Sequence, residues 1–437
     1  MNYFEEEVER YKRRIERIKA NPSPTMLWSN VKFYELMLKH YQTMIEEWRE
    51  GKPFCACADL APYRLIKAMG IRPFSWEMQG DYLPRKLVPE YFRRVRATGF
   101  PDNGCDRVQA TASILMATEK GEVPMPSCVV VTKADCNGLA EAIIWGGRQL
   151  RVPTYVIDCP LASDVPYEER WEALKYMEEQ LYDMIGFLEK EVPGAKYDEA
   201  KLIEYLHGFR KVMEQHDRMR EASKSKPCPL SGKDSFRMAP LDMIEEPELI
   251  EYYVMVADEM EEKSKAGRGA SVREEKARVG FLCSAPFFID GFQYLEECGV
   301  GVPIYEAGSG AIDFPRIDDE STWGRKLSPI ELEGAYALAD PWHGVWWHRW
   351  RAVRKFCQEV ELDGLVHFEL PGCETCNGST KLIAKMAEKE LGIANLEIEG
   401  WCHDQEKFNE AEYAEKMRDF AALLFERKKS KIKEDTR

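Results

Sequence analysis

Along the first 50 residues the apolar positions fall three and four apart, with Phe4, Val8, Tyr11 and Ile15 set among alternating acids and bases. That spacing places one apolar stripe on a helix of 3.6 residues per turn, and Asn21-Pro22-Ser23-Pro24 divides the stretch into two helices. The pair reads as a helical cap on the fold or as a dimer contact. From Pro53 the pattern changes to short apolar runs separated by helix-length stretches. Val129–Thr132 is a β-branched run, Leu139–Leu150 has helical character, and Thr154–Ile157 is a second run that ends at Cys159-Pro160. A strand–helix–strand unit of this kind requires a crossover and therefore parallel strands. A similar unit begins upstream with Phe54–Ala58 as strand and Pro62–Met69 as helix.

The stretch from Tyr167 to about Lys265 is helix-forming and charged, interrupted at Lys226-Pro227-Cys228-Pro229, and Lys263–Ala270 reads as a linker. The alternating pattern then returns. Val279–Leu282, Val302–Tyr305, Leu365–Phe368 and Leu396–Ile398 read as strands, with helices at Ile289–Glu297 and at Ser379–Leu391, the latter closed by Gly392. The expected fold class is α/β, with two Rossmann-like parallel-sheet domains. Its parts are an N-terminal helical segment (1–50), a first α/β domain (51–165), a helical linking segment (166–277) and a second α/β domain (278–437). The halves share no visible sequence repeat, so any symmetry would be structural only.

Composition narrows the partners. A chain of 437 residues is longer than one core usually supports. Its 61 basic and 76 acidic residues give a formal charge of −15, which opposes nonspecific binding to nucleic acid or an anionic membrane surface. The first residues lack the apolar core of a signal peptide, and no apolar run reaches the length of a membrane span. A cytoplasmic, soluble protein without nucleic-acid or membrane partners is expected. In that setting the 13 cysteines are expected as ligands, nucleophiles or core thiols, not as a disulfide framework.

Many of these thiols fall where parallel strands end, and there βα loops collect ligands. Cys136, Cys159, Cys283, Cys373 and Cys376 all follow predicted strands, with Cys57 and Cys402 as weaker members of the set. A thiol at a helix N-terminus faces free backbone N–H groups, which favour the thiolate that iron and zinc bind. Gly138 and Gly378 each lie two residues past a thiol and are expected to let the backbone come close. Cys128 begins its strand and reads as a core thiol, and Cys228, Cys298 and Cys357 read as core or surface thiols. The Cys373-x-x-Cys376 spacing also serves zinc knuckles and redox dithiols, but no second CxxC or HxxxH completes a zinc site. His367, at the end of its strand, is a candidate catalytic proton donor or a satisfied core histidine. The tryptophan-rich segment 342–350 reads as helix packing or a subunit contact. Glu306-Ala307-Gly308-Ser309-Gly310 is weak evidence for phosphate binding, and Gly378-Ser379-Thr380-Lys381 lacks the order of a phosphate loop.

Three segments resemble the 2-hydroxyacyl-CoA dehydratase and benzoyl-CoA reductase superfamily, over about residues 51–425. They are Gly104-Cys105-Asp106-Arg107-Val108 with its continuation to Pro126, Val129–Cys136 with its continuation to Pro160, and Asp363–Cys373 with its continuation to Glu399. The resemblance implies an iron–sulfur cluster of the 4Fe–4S type held by Cys105, Cys136 and Cys373, with one iron open. It also implies electrons from a separate ATP-dependent activator, and a homodimer or a heterodimer with a related subunit. The surplus of strand-end thiols is similar to the double-cubane cluster protein branch, whose 8Fe–9S group takes about twice as many cysteines, so Cys283 and Cys376 join the expected metal ligands. The function expected is that of an anaerobic, low-potential iron–sulfur oxidoreductase acting on a small molecule. The alternatives are a 4Fe–4S 2-hydroxyacyl-CoA dehydratase (a lyase) or benzoyl-CoA reductase subunit, and a noncatalytic metal-bound scaffold.

Overall fold

The computed structural model describes residues 3–23, 26–134, 136–160, 169–235, 241–243, 245–270, 273–307, 320–339 and 346–435. Its first two helices, α1 (Tyr3–Ala20) and α2 (Asn30–Arg49), pack on each other. The Phe4 ring meets Tyr41 of α2 at a tilt at 5.8 Å and Phe74 of the first sheet edge-on at 5.6 Å. The apolar stripe therefore closes one side of the first domain, as a cap.

That domain runs β1 (Phe54–Cys57), α3 (Tyr63–Ala68), β2 (Arg72–Ser75), α4 (Trp76–Asp81), α5 (Val88–Arg96), α6 (Asp106–Glu119), β3 (Cys128–Thr132), α7 (Asn137–Leu150) and β4 (Thr154–Ile157). All four strands are parallel, in the order β2-β1-β3-β4. The strand β2 has no apolar run to announce it. Its Pro73 cannot donate to a ladder on both sides, which confines it to the sheet edge where it lies.

Next come α8 (Trp171–Glu191), α9 (Glu199–Ser223), the short α10 (Gly232–Ser235) and α11 (Pro247–Lys265). Leu174, Leu181, Phe209 and Val256 from these helices share one continuous core with Val129–Val131. The long helices of the segment expected to link the domains are thus packed as a layer on the first of them, while the short α10 lies against Phe292 of the second.

The second domain runs β5 (Ala277–Cys283), α12 (Gln293–Glu296), β6 (Val300–Tyr305), α13 (Glu320–Trp323), α14 (Pro329–Ala339), α15 (Trp346–Glu359), β7 (Gly364–Glu369), α16 (Glu374–Met386), β8 (Ala394–Glu399) and α17 (Glu410–Asp435). A π-helical turn over Ala387–Leu391 follows α16 and ends at Gly392, whose φ of +61° makes it the left-handed stop. The strands are again all parallel, in the order β6-β5-β7-β8. One face packs Phe281 and Phe368 against Met417 and Phe420 of α17, and the other packs Leu365 against Val353, Phe356 and Ile383. The helix expected over Ile289–Glu297 shrinks to the single turn of α12. Its first residues form a loop in which Phe292 N–H donates to the Asp290 carboxylate at 3.3 Å. Trp342 and residues 308–310 lie outside the described residues. Trp350 packs in the core under α15, and Trp347 faces solvent.

Both sheets order their strands second, first, third, fourth, a structural repeat with no counterpart in the sequence. In open sheets of this kind the ligand crevice lies at the carboxyl ends of the strands, where the winding reverses. Here that is between β1 and β3 in one domain and between β5 and β7 in the other.

Candidate metal centre

Cys105, Cys136 and Cys373 are the cap residues at the N-termini of α6, α7 and α16. All three gather in one small apolar cluster with Phe100, Val108, Leu139 and Ala142. Two thiols thus come from the first domain and one from the second. Cys105 and Cys373 stand side by side across the seam. Gly372 makes this approach possible. At φ +73°, an added Cβ would lie 2.9 Å from the Cys105 backbone nitrogen and 3.0 Å from Gly104 Cα. Gly138 and Gly378, expected to bring backbone close to cluster sulfurs, take no part in this contact: a Cβ on Gly378 would meet nothing within 4 Å, and one on Gly138 would make only ordinary contact with Cys136 Sγ at 3.7 Å.

Cys373 Sγ also accepts a hydrogen bond from Cys376 N–H at 3.4 Å, one turn into α16. Cys376 is joined by a disulfide to Cys283 at the end of β5, with Cα atoms 5.7 Å apart. The two additional ligands expected from the sequence are therefore adjacent to Cys373 and bonded to each other, and the other eleven cysteines are free. Cys283 holds a left-handed φ of +68°, and its N–H donates to Glu306 at 2.7 Å. Cys402 donates to Ser284 Oγ at 3.0 Å, and burial pushes its thiol pKa up. Cys57 and Cys159 are buried in the first core. Cys128 lies beside Cys55 across the β1–β3 ladder, and both are core thiols.

The neighbouring Cys373 thiol and then burial push the Cys105 pKa up and outweigh the Val108 N–H at the start of α6, which acts to lower it, since a second thiol and an apolar shell both disfavour the thiolate. Beneath the thiols a polar seam joins the domains. The Asp106 carboxylate accepts from the His403 and Asp404 backbone N–H groups at 2.6 and 3.1 Å, and burial raises its pKa. Arg107 donates to Asp81 from Nε at 3.1 Å and from its terminal nitrogen at 2.5 Å, while His403 Nε2 lies 3.2 Å from the same carboxylate. Burial acts to raise the Asp81 pKa, but Arg107 and His403 outweigh it and hold the group ionised below its usual range. His367 is buried with Nε2 at 2.9 Å from Asn395 Oδ1, and burial lowers its pKa to about 4. At neutral pH it is an uncharged imidazole bridging β7 and β8.

Among the described residues no three His, Cys, Asp or Glu side chains stand close enough to hold a single metal ion. An iron–sulfur cluster makes a different demand, because each thiolate binds a separate iron at the cluster's periphery. Three thiols on three separate helix ends meet that demand. The positive ends of α6, α7 and α16 favour an anionic group there, and the apolar shell restricts water.

A second feature lies at the carboxyl ends of β1, β3 and β4. Leu60, Thr132, Ile157, Leu181, Phe209 and Tyr336 line a mainly apolar cavity of about 80 Å³. Arg64 and Glu333, paired at 2.7 Å, form part of its wall.

The model of the 2-hydroxyglutaryl-CoA dehydratase D-component family matches residues 60–423, which span every strand end described above except that of β1. The chain belongs to this family. It is 25% identical to the (R)-phenyllactyl-CoA dehydratase alpha subunit of Clostridium sporogenes, over 88% of this chain and 93% of the relative. It is 21% identical to the (R)-2-hydroxyisocaproyl-CoA dehydratase alpha subunit of Clostridioides difficile, over 90% and 96% respectively. It is also 20% identical to a benzoyl-CoA reductase subunit of Thauera aromatica, over 75% and 78%. No helix among the described residues is long and apolar enough to cross a membrane.

Proposed function

We propose that this chain is an iron–sulfur-dependent, low-potential reductase component that receives electrons from a separate ATP-hydrolysing activator and reduces a small molecule at an enlarged cluster. The observation that carries the reading is the continuity of the thiols. Cys105, Cys136 and Cys373 share one apolar cluster, and Cys376 and Cys283 extend it along the carboxyl edge of the second sheet. An ordinary three-cysteine site has no use for that extension. In the reduced protein Cys105, Cys136 and Cys373, together with Cys283 and Cys376, would hold the group. Phe100, Val108 and Leu139 exclude water, and the helix ends offset the negative charge. When bound, the cluster supplies single electrons at low potential and an iron open to substrate. The sequence carries no phosphate-binding loop, so ATP hydrolysis falls to the partner.

Anaerobic purification followed by iron and acid-labile sulfide analysis tests this reading. About eight irons per chain is the expected result for an enlarged cluster, against about four for a single cubane. Cys105→Ala, Cys136→Ala and Cys373→Ala should each lose iron, and full retention by all three would reject the assignment.

The apolar cavity favours a second reading, that of a dehydratase or reductase subunit acting on a coenzyme A thioester. It lies at the strand ends where such folds bind ligands, and its apolar lining suits an acyl group. About four irons per chain together with saturable binding of an acyl-CoA would establish this reading in place of the first.

A further inference from the structure

The second sheet carries a buried ion pair that the cluster reading leaves unused. Arg349 of α15 donates from Nε to one Glu306 oxygen and from a terminal nitrogen to the other, both at 2.7 Å. Its remaining nitrogen donates to the Cys376 carbonyl at 3.2 Å and to Ser379 Oγ at 2.7 Å. Glu306, just past β6, passes the connection on by accepting the Cys283 N–H at 2.7 Å. Arg349 is 5% and Glu306 7% exposed, so neither is a solvated surface charge.

The planar guanidinium thus touches the backbone of one thiol-bearing residue directly, and the other through a two-toothed carboxylate. Cys283 needs that hold. Its φ of +68° is a conformation in which glycine is at ease and a side chain is not, and such strain persists only where surrounding bonds enforce it. The Glu306 carboxylate supplies one of those bonds, and Arg349 fixes the carboxylate.

We infer that Arg349 and Glu306 are positioning residues that hold Cys283 and Cys376 as a matched thiol pair, presented to the cluster beside Cys373. The inference rests on the proposed cluster reading for its purpose, but the positioning itself exists in the metal-free protein. Removal of the guanidinium frees the Glu306 carboxylate, the Cys283 N–H loses its fixed acceptor, and the two thiols drift apart.

The test uses the full chain and two readouts. In the first, metal-free reduced protein is oxidised mildly, and the yield of the Cys283–Cys376 crosslink is measured by peptide mapping. In the second, iron per chain and the midpoint potential are measured after anaerobic reconstitution. Arg349→Gln and Glu306→Gln are compared with Arg349→Lys and with wild type, and thermal melts confirm that each variant folds. The glutamine variants should crosslink far less and bind iron about 10–100-fold more weakly, the usual cost of losing an outer partner of a metal ligand, with Arg349→Lys intermediate. Wild-type crosslinking and iron retention in a folded Arg349→Gln or Glu306→Gln protein would overturn the inference. If Arg349→Gln fails to fold, Glu306→Gln, which keeps shape and removes only charge, decides alone. If wild type takes up no iron, the cluster reading fails, and the crosslink yield still judges the positioning.

Discussion

Gly372 is the residue on which the seam between the domains depends. A side chain there meets the Cys105 and Gly104 backbone, which cannot swing aside as a flexible side chain would. The left-handed φ adds strain of its own. Gly372→Ala should therefore destabilise the protein by about 1–3 kcal/mol and lower its iron content, whereas Gly378→Ala should leave both unchanged. Urea unfolding and iron analysis on the two variants check this contrast. The sequence did not point to Gly372, because it shows only distance along the chain. Gly138 and Gly378 lie near a thiol in sequence, but Gly372 lies near a thiol 267 positions away. The Arg349–Glu306 pair was illegible for the same reason, since 43 residues separate its members, and the glycine-rich and tryptophan-rich segments that hold them were read for phosphate binding and for packing. Cys136, Cys283, Cys373 and Cys376 stood out in the sequence because strand ends announce themselves locally, whereas Cys105, which follows no strand, was reached only through the family resemblance.

At the level of elements, the thiols are only as well placed as the helices that carry them. The helices α6 and α7 hold Cys105 and Cys136 at their ends and touch closely through Gly146. An added Cβ at that glycine would fall 1.6 Å from Leu115 Cδ1 and 2.9 Å from the Trp76 ring. Gly146→Val should force the pair apart, with a loss of about 1–3 kcal/mol from overpacking, and should weaken iron retention although it lies far from any thiol. Chemical denaturation and reconstitution assays measure the two effects together. The long elements were readable from periodicity alone, and the boundaries of α7 and β4 fall close to their predicted places. The failures were short. The strand β2 contains a proline and only one large apolar residue, and α12 lost its first turns to the loop at Asp290. In both places tertiary placement decided against local propensity.

Across the whole molecule, buried ionisable groups act in two opposed sets. Burial lowers the pKa of His40 to about 3 and those of His216 and His367 to about 4. The unfolded chain then binds protons below about pH 6.5 that the folded chain refuses, so these groups make stability rise with pH between about 4 and 6.5. Burial raises the pKa of Glu7 and Glu296 to about 7 and that of Asp242 to about 6. In this set the folded chain keeps protons that the unfolded chain releases, so stability falls as pH rises through the same range. The wild-type profile should be shallow there. Glu296→Gln should steepen the rise between pH 5 and 6.5, and His216→Gln should flatten or reverse it, as read from urea midpoints at the two pH values. The two-domain architecture was legible at this scale, while the shared strand order was not, because parallel sheets specify hydrophobicity and leave residue identity open. The seam itself has a thermodynamic meaning. Any group bound by Cys105 and Cys136 on one side and Cys373 on the other is a tether as well as a reagent. The affinity of the two domains for one another and the affinity of the chain for its cofactor are then a single linked free energy, and damage to either is felt at once by the other.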